Sequence, residues 1–324
     1  MHIDLPESPD FVLGAARIER EGDLVRLSRM TKALQSFYSY TDAALTRAVC
    51  TAGVRIRFRS DTPFVRLVLA YGREARSLYK VDLVLDGERT LSAGPDTRQQ
   101  AAEIVFDGLG SEEKSIELHL PHCCEARVAG LEITDGASLQ PIRTRQKRWL
   151  QIGDSITQGM TARTPSKTYA ALAARDLDVD FHNIAVGGAT MEREIGKLVG
   201  ELQWDLATVA FGTNDFDMNR TIADLQRNTA GLLRSLLAHG KGPVAVITPI
   251  PWAGRATPNR IGLSLGDYRE AIKEVALSFD DVTLVNGEEI VDDDPRLFVD
   301  DVHPNDAGMK QYAERLVPHL GPLV

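Results

Sequence analysis

The sequence predicts an α/β protein with a β-rich amino-terminal region and a carboxyl-terminal region in which strands alternate with helices. Up to about residue 140, short runs alternate apolar and polar residues and are separated by turn residues, which is typical of half-buried antiparallel strands. From residue 149, short apolar strands alternate with amphipathic helices, which favours a parallel sheet covered on both faces. We therefore expect an all-β sandwich at 1–140, a linker at 141–148 and an α/β domain at 149–324.

Composition and charge limit the classes of function. The chain of 324 residues is 43% hydrophobic and 26% charged, which is ordinary for a globular protein. Its formal net charge of -9 argues against nucleic acid or an anionic membrane as the main partner. The first residues lack the basic and apolar runs of a signal peptide, and no apolar stretch approaches the ~20 residues that span a bilayer. We expect a cytoplasmic protein with no nucleic-acid or membrane partner.

Alternating runs predict the strands of the amino-terminal region. Asp86 and Gly87 form a strong hairpin signal, and the spacing of the runs favours a small β-sandwich or jelly roll. The segment 31–41 fits no strand pattern, and we expect a loop there, over one face of the sandwich. The predicted strands are residues 54–59, 65–70, 80–86, 115–120 and 127–133.

Three arginines alternate along the first of these strands. Arg55, Arg57 and Arg59 suit an acidic or sugar ligand, but such a row is more often a solvated face. We predict the solvated face.

The three cysteines are too few for a disulfide framework. Cys123 and Cys124 stand close to His119 and His122, but their spacing follows no common zinc pattern. We expect a strand end and its turn at this point, with no metal.

The region after residue 149 carries the strand–helix alternation. Its clearest helix spans 221–238, with Thr221 as the N-cap and Gly240 just past the end, and a final helix is predicted at about 305–316. The predicted strands are residues 149–153, 179–185, 206–211, 244–248 and 282–285.

Polar or small residues follow these strands at the edge where open α/β sheets bind their ligands. The first strand ends in a Gly-Asp-Ser sequence that suits a tight turn into a helix and contains Ser155. A serine hydroxyl attacks well only when a base removes its proton, and His303 in the last loop is the natural base. Asp300 stands three residues before it and would hold the ring. Backbone N–H groups of Ser155 and of a glycine after the second strand, with the amide of Asn214, would stabilise an oxyanion.

The order and spacing of this set resemble the SGNH hydrolases, also called GDSL-type esterases, over about residues 148–320. The resemblance implies a flavodoxin-like three-layer α/β/α domain and a serine esterase that requires neither a metal nor an organic cofactor. The β-rich part more loosely resembles the accessory sandwich domains of some carbohydrate esterases. The matching residues are Asp154 and Ser155, Gly188 five residues after Asn183, Gly212 with Asn214 and Asp215, and Asp300 with His303.

By this resemblance, the nucleophile is Ser155, the base is His303 and its orienting acid is Asp300, with Ser155, Gly188 and Asn214 in the oxyanion hole. Two alternatives remain open. Gly187 is a second candidate for the glycine donor, because Ala185 stands where many family members have a glycine. Asp301 is a second candidate for the acid, since it lies beside Asp300.

The expected reaction is hydrolysis of a short-chain carboxylic ester through an acyl-serine intermediate, with an O-acetyl group on a carbohydrate or glycoside as the favoured substrate. The expected partner is a small-molecule or oligosaccharide ester. Trp252, on the loop after the fourth strand, is predicted either to bind substrate or to pack beneath its loop. An acyltransferase that uses the same acyl-enzyme, and a carbohydrate-binding protein with an inert catalytic half, are the alternatives.

Overall fold

The computed structural model describes residues 1–142, 145, 147–254 and 257–324. Contacts divide the chain into two compact units. Residues 143, 144 and 146 of the predicted linker lie outside the described residues, and the predicted boundaries at 140 and 149 stay a prediction. The first unit comprises Met1–Arg145, Arg163–Ser166 and Asp180–Asn183, and the second comprises Gln146–Ala162, Lys167–Val179 and Ile184–Val324.

The first unit contains two antiparallel sheets, as the alternating pattern predicts. One sheet has the order β1-β4-β9-β6-β7, with β11 also paired to β4, and the other has the order β2-β3-β10-β5-β8. The strands are β1 (Val12–Leu13), β2 (Arg17–Glu21), β3 (Leu24–Ser28), β4 (Arg55–Ser60), β5 (Phe64–Glu74), β6 (Val81–Leu85), β7 (Arg89–Ala93), β8 (Ala101–Asp107), β9 (Lys114–His119), β10 (Cys124–Ile133) and β11 (Gln140–Pro141).

Alternation along the strands builds the core of this unit. On β5, Val65, Leu67 and Leu69 are fully buried, and they join Ile56 and Phe58 of β4 in one apolar cluster. The predicted hairpin joins β6 to β7, and both of its turn residues adopt positive φ angles, 50° at Asp86 and 76° at Gly87.

The segment 31–41 is helical, so the predicted loop is wrong. It forms α1 (Lys32–Phe37) and a 3₁₀ turn (Tyr38–Tyr40), which α2 (Asp42–Val49) follows. Thr31 and Thr41 each accept a hydrogen bond from the backbone N–H of the third residue of the following helix, which satisfies a donor that a helix start leaves unpaired. These two N-cap threonines are the sequence signal for helices in this part of the chain.

The predicted solvated face of β4 is also wrong for two of its three arginines. Arg55 and Arg57 are buried, whereas Arg59 is exposed. The guanidinium of Arg57 donates to both oxygens of Asp180, at 2.8 and 3.2 Å, and lies 3.6 Å from Glu117. Two arginines can be buried on one strand because carboxylates from distant parts of the sequence neutralise them.

The second part of the chain forms a five-stranded sheet of order β13-β12-β14-β15-β16. This order, 2-1-3-4-5 along the chain, is the flavodoxin-like one. The α/β prediction is confirmed, and every predicted strand overlaps an observed one. The strands are β12 (Arg148–Gly153), β13 (Asp180–Asn183), β14 (Leu206–Ala210), β15 (Val244–Ile247) and β16 (Val282–Val285).

The helices of this region include both predicted ones. Thr221 caps α7 by accepting from the Asp224 N–H, and Asn305 caps α10 by accepting from two N–H groups. In the described part of the chain, no helix is long and apolar enough to cross a membrane. The helices are α3 (Ser155–Gln158), α4 (Tyr169–Asp176), α5 (Arg193–Leu198), α6 (Thr213–Asp217), α7 (Ile222–Ala238), α8 (Leu265–Ala276), α9 (Gly287–Ile290) and α10 (Asp306–Leu320).

The ion pair of Asp180 with Arg57 allows a test of how much a buried charge pair contributes to the stability of the first unit. We expect Arg57→Met to lower the free energy of unfolding by about 3 kcal/mol, because it leaves a buried carboxylate without its bidentate partner. Arg59→Met is the matched control: its side chain is 47% exposed and faces the exposed Glu113, so we expect a loss below about 1 kcal/mol. Urea denaturation measures both, and equal losses would contradict this account.

Candidate active site

The turn between β12 and α3 presents a serine at the carboxyl end of the sheet. Asp154 caps α3 by accepting from the Ile156 N–H at 2.9 Å, and Ser155 is the first residue of that helix. The preceding Gly153 fits where a side chain would not, because an added Cβ would lie 2.4 Å from Thr157 Oγ1 and 2.8 Å from the Ala210 carbonyl oxygen. The tight packing of this turn therefore fixes the direction of Ser155.

The last loop brings His303 to that serine. Ser155 Oγ lies 2.8 Å from His303 Nε2, and His303 Nδ1 lies 2.8 and 3.0 Å from the two carboxylate oxygens of Asp300. An ionised carboxylate can only accept, so the proton sits on Nδ1 and Nε2 is left to accept from the serine hydroxyl. The three side chains thus form a continuous hydrogen-bonded chain, with the histidine in the tautomer that can act as a base.

The backbone of this loop is held from several directions. Asp300 also accepts from the His303 N–H at 3.0 Å, and the Val299 N–H donates to the His303 carbonyl at 2.9 Å. Thr161 Oγ1, three residues past α3, donates to the Pro304 carbonyl at 2.7 Å. The imidazole is therefore positioned by local contacts and by the segment that follows the serine helix.

Asp301, the second candidate for the acid, has a different role. Its φ angle is 62°, and its carbonyl oxygen accepts from the Ala253 N–H at 2.7 Å, which ties the loop after β15 to the histidine loop. The carboxylate that meets His303 is that of Asp300. Trp252, next to Ala253, is half-buried and packs edge-on against Phe216 with ring centroids 5.6 Å apart.

The glycine and asparagine loops lie on the other side of Asp154. Asn214 Nδ2 donates to the Ala189 carbonyl at 3.0 Å and lies 3.4 Å from Asp154 Oδ2. The Gly187 N–H is engaged by Gln158 Oε1 at 2.8 Å, while Gly188 adopts a φ angle of 78°. The hydrogen bond of Gly187 favours Gly188 as the glycine that is available to a substrate.

Two buried carboxyls beneath these loops have raised pKa values. Burial raises the pKa of Asp154 to about 7, against the lowering effect of the Ile156 N–H, and the neighbouring Asp215 raises it further. Burial likewise raises the pKa of Asp215 to about 6, although the Arg220 guanidinium lowers it. Both carboxyls therefore hold their protons more tightly than an exposed aspartate does.

Three further residues contribute to this site although no sequence pattern predicts their roles, namely Gln158, Asp215 and Arg220. Asp215 lies within the matched asparagine block, but no function was assigned to it. Arg220 follows that block by five residues, and no sequence pattern marks it. Both make contacts with the loop after Gly188 that only the folded chain reveals.

None of the described residues form a cluster of three or more His, Cys, Asp or Glu side chains that could hold a metal ion. The segment near Cys123 is the end of β9 and the start of β10, where Cys123 and Cys124 are buried as free thiols. His119 there lies 3.1 Å from Glu117.

The family comparison agrees with the site geometry. Residues 152–311 match the model of the GDSL-like lipase/acylhydrolase family. This segment is a GDSL-like lipase/acylhydrolase domain. The GDSL-like domain contains the serine turn, the glycine and asparagine loops and the histidine loop, which identifies it as an esterase or acyltransferase domain of the SGNH type.

Solved structures similar to the chain extend the likeness beyond the GDSL-like domain. A salicylyl-acyltransferase, SsfX3, from a tetracycline biosynthetic pathway is 23% identical with a TM-score of 0.85, over 96% of this chain and 94% of that one. A family two carbohydrate esterase from Cellvibrio japonicus is 16% identical with a TM-score of 0.67, over 96% and 94%. A family two carbohydrate esterase from Clostridium thermocellum, in complex with cellohexaose, is 16% identical with a TM-score of 0.68, over 96% and 98%. At these identities the likeness shows a shared fold. No curated protein matches the sequence.

The raised pKa of Asp154 predicts a pH dependence of stability in the GDSL-like domain. Between about pH 4 and pH 7 the folded protein keeps a proton that the unfolded chain releases, because the ordinary pKa is 3.8 and the folded pKa is about 7. This contribution is fully present below pH 4 and is lost as the pH rises through 7, with a slope of up to about 1.4 kcal/mol per pH unit.

Asp154→Asn keeps an oxygen for the Ile156 N–H and removes the titration. We expect the variant to lose less stability than the wild type between pH 4.5 and 8 in urea denaturation. A residual slope from Asp215 remains, since the pKa of that carboxyl is also raised. Parallel pH profiles for the two proteins would refute the buried titration.

Proposed function

We propose that the chain is a serine esterase that hydrolyses a short-chain carboxylic ester through an acyl-serine intermediate. The observation that carries this proposal is the pair of hydrogen bonds that connects Ser155 Oγ through His303 to the Asp300 carboxylate, each 2.8 Å long. The same three residue types can occur together by chance in a structural network. Their place in a GDSL-like domain, at the carboxyl end of its parallel sheet, supports the catalytic role instead.

Each side chain has a defined step in the proposed mechanism. His303 Nε2 accepts the proton of Ser155 as Oγ attacks the ester carbonyl, and it then returns the proton to the departing alcohol. Asp300 holds the Nδ1–H tautomer and stabilises the imidazolium that forms. Water, deprotonated by the same histidine, attacks the acyl-serine and releases the acid.

The oxyanion hole is proposed to combine the backbone N–H groups of Ser155 and Gly188 with the amide of Asn214. The hydrogen bond of Gly187 to Gln158 supports the choice of Gly188. Asn214 already has one contact at 3.0 Å, to Ala189, and a longer one at 3.4 Å, to Asp154. The longer contact is the weaker of the two, so the N–H that makes it is the one we expect to turn to the oxyanion.

The proposed substrate is an O-acetyl group on a carbohydrate or glycoside. The fold shared with family two carbohydrate esterases, one of which was solved with cellohexaose, supports a saccharide alcohol. In this proposal residues 149–324 carry the chemistry, residues 1–140 are an accessory domain, and Trp252 on the tethered loop after β15 contacts the substrate. The alternative of a carbohydrate-binding protein with an inert catalytic half is disfavoured, because the hydrogen bonds from serine through histidine to the carboxylate are intact.

A second candidate is transfer of the acyl group to an alcohol other than water. The solved acyltransferase covers 96% of this chain at a TM-score of 0.85, which is higher than the value for either carbohydrate esterase. The acyl-serine would be the same in both reactions, and only the acceptor in the second step would differ.

The esterase proposal is tested with p-nitrophenyl esters of increasing chain length. We expect turnover that is greatest with acetate, and a rate at background level for Ser155→Ala, because the covalent step needs Oγ. Ser278→Ala, an exposed serine at the end of α8, is the control and should retain wild-type rates. A maximum at long chains would refute the acetyl preference, and turnover by Ser155→Ala would refute the mechanism.

The choice between water and an alcohol is tested by product analysis. With an acetylated glycoside and a large excess of a second alcohol, we expect hydrolysis to release one equivalent of acetic acid for each ester consumed. Chromatography would detect an ester of the added alcohol, and an acid yield that falls as this ester accumulates would establish transfer and contradict the hydrolase.

A further inference from the structure

The loop after Gly188, residues 189–192, is hydrogen-bonded to the segment that carries Asn214. Two consecutive side chains, those of Asn214 and Asp215, make some of these hydrogen bonds. Asn214 Nδ2 donates to the Ala189 carbonyl at 3.0 Å, and the carboxylate of Asp215 accepts from the Met191 N–H at 3.1 and 3.3 Å. Asp215 is fully buried, so it holds this N–H without competition from solvent.

Arg220 makes further contacts to the same loop. Its Nη1 donates to the Met191 carbonyl at 2.6 Å, and its Nη2 donates to Thr190 Oγ1 at 3.1 Å and pairs with Glu192. Its Nε lies 3.2 Å from the Asp215 carboxylate. One planar guanidinium therefore contacts a backbone carbonyl, a hydroxyl and two carboxylates at once. The single ammonium group of a lysine could not make all of these contacts.

The backbone of Arg220 is itself fixed. Its N–H donates to the Asp215 carbonyl at 2.9 Å, and its carbonyl accepts from the Tyr268 hydroxyl. The next residue, Thr221, caps α7. The guanidinium therefore projects from a turn between α6 and α7 whose own backbone is held by hydrogen bonds.

The position of this loop explains what the contacts achieve. Gly188 immediately precedes Ala189, and its φ angle of 78° is one that glycine reaches without strain but does not hold by itself. Gly188 lies in a turn that the Ala189 N–H closes on the Val186 carbonyl at 3.0 Å, and Gln158 holds the Gly187 N–H on the preceding side.

The direction of the Gly188 N–H therefore depends in part on where residues 189–191 are held. Asn214 donates a hydrogen bond to the Ala189 carbonyl in the same loop. This loop therefore connects the two proposed oxyanion donors, the Gly188 N–H and the Asn214 amide.

We propose that Arg220, acting with Asp215, is a positioning residue that holds the Gly188 N–H and the Asn214 amide in the geometry needed by the oxyanion. The inference rests on the proposed esterase mechanism and adds two residues to it. Arg220 does not touch the substrate. Its removal should slow acylation because the donors move, and a misplacement on the order of 1 Å can cost about 100-fold in rate.

The test compares Arg220→Met and Arg220→Lys with Arg315→Met. Arg315 also donates to a backbone carbonyl, that of Glu289, and to a carboxylate, that of Asp292, but on α10. We expect Arg220→Met to lower kcat on p-nitrophenyl acetate about 10- to 100-fold with KM changed less than about threefold. Arg220→Lys should recover part of the loss, and Arg315→Met should match the wild type.

A double-mutant cycle separates positioning from general damage. In an Asn214→Ala background the hole has already lost one donor, so Arg220→Met should cost clearly less than it does in the wild type. An equal loss in both backgrounds, or a loss that merely follows the folded fraction measured by circular dichroism, would overturn the proposal. If Arg220→Met does not fold, Thr190→Val removes the hydroxyl that accepts from Arg220 and donates to Glu192, the second partner of Arg220 in the loop. This variant should lower kcat a few-fold, and an unchanged kcat would overturn the proposal.

Labelling with a fluorophosphonate distinguishes the failure of this proposal from that of the esterase proposal. We expect wild-type Ser155 to be labelled and Arg220→Met to be labelled at least tenfold more slowly, because phosphonylation also needs the oxyanion donors. Labelling of Arg220→Met at the wild-type rate would refute the positioning role alone. A wild-type Ser155 that resists the reagent would overturn both proposals.

Discussion

In-register parallel pairing is the constraint on which the site depends. Gly153, Ala210, Ile247 and Val285 lie in one row across four strands. The segments that follow these strands therefore start at the same level, although they are far apart in sequence. Ser155 follows β12 directly, whereas Asp300 and His303 come after α9 and a 3₁₀ turn beyond β16, and the three side chains meet within hydrogen-bond distance.

The burial of charge is the second theme of the structure. A buried carboxylate is costly unless it gains a proton or a partner. Asp154 takes the first course, with a pKa raised to about 7, and Asp180 takes the second, with the bidentate guanidinium of Arg57. Asp215 lies between them, since burial raises its pKa while Arg220 supplies a partner. Two of these carboxyls, Asp154 and Asp215, also accept from backbone N–H groups at the site, those of Ile156 and Met191.

The parts that could be predicted from the sequence are those set by local pattern. Apolar alternation predicted the strands, and the Gly-Asp-Ser turn and the Asp-x-x-His spacing indicated residues that prove to be hydrogen-bonded neighbours. The misses are contacts between distant residues. The alternating pattern predicts a solvated Arg57 because it carries no information about Asp180, which lies 123 residues away, and the hydrogen bond of Arg220 to Met191 spans 29 residues. A local signal was overlooked only in the segment after Thr31, where a capping threonine precedes the helix.

The hydrogen bonds from serine to carboxylate do not distinguish hydrolysis from acyl transfer. Selectivity for the acceptor must therefore come from the residues that surround these three side chains. The loop after β15 is the best-anchored candidate. Arg269 donates to the carbonyls of Pro249 and Ile250 at 2.7 and 3.1 Å, and the Ala253 N–H is bound to the histidine loop. Trp252 lies between these anchored residues and would lose little entropy on packing against a substrate, which favours it as the side chain that would discriminate between alcohols. Selectivity for the alcohol would then be tuned on this loop, while the reacting groups on the neighbouring loops stay unchanged.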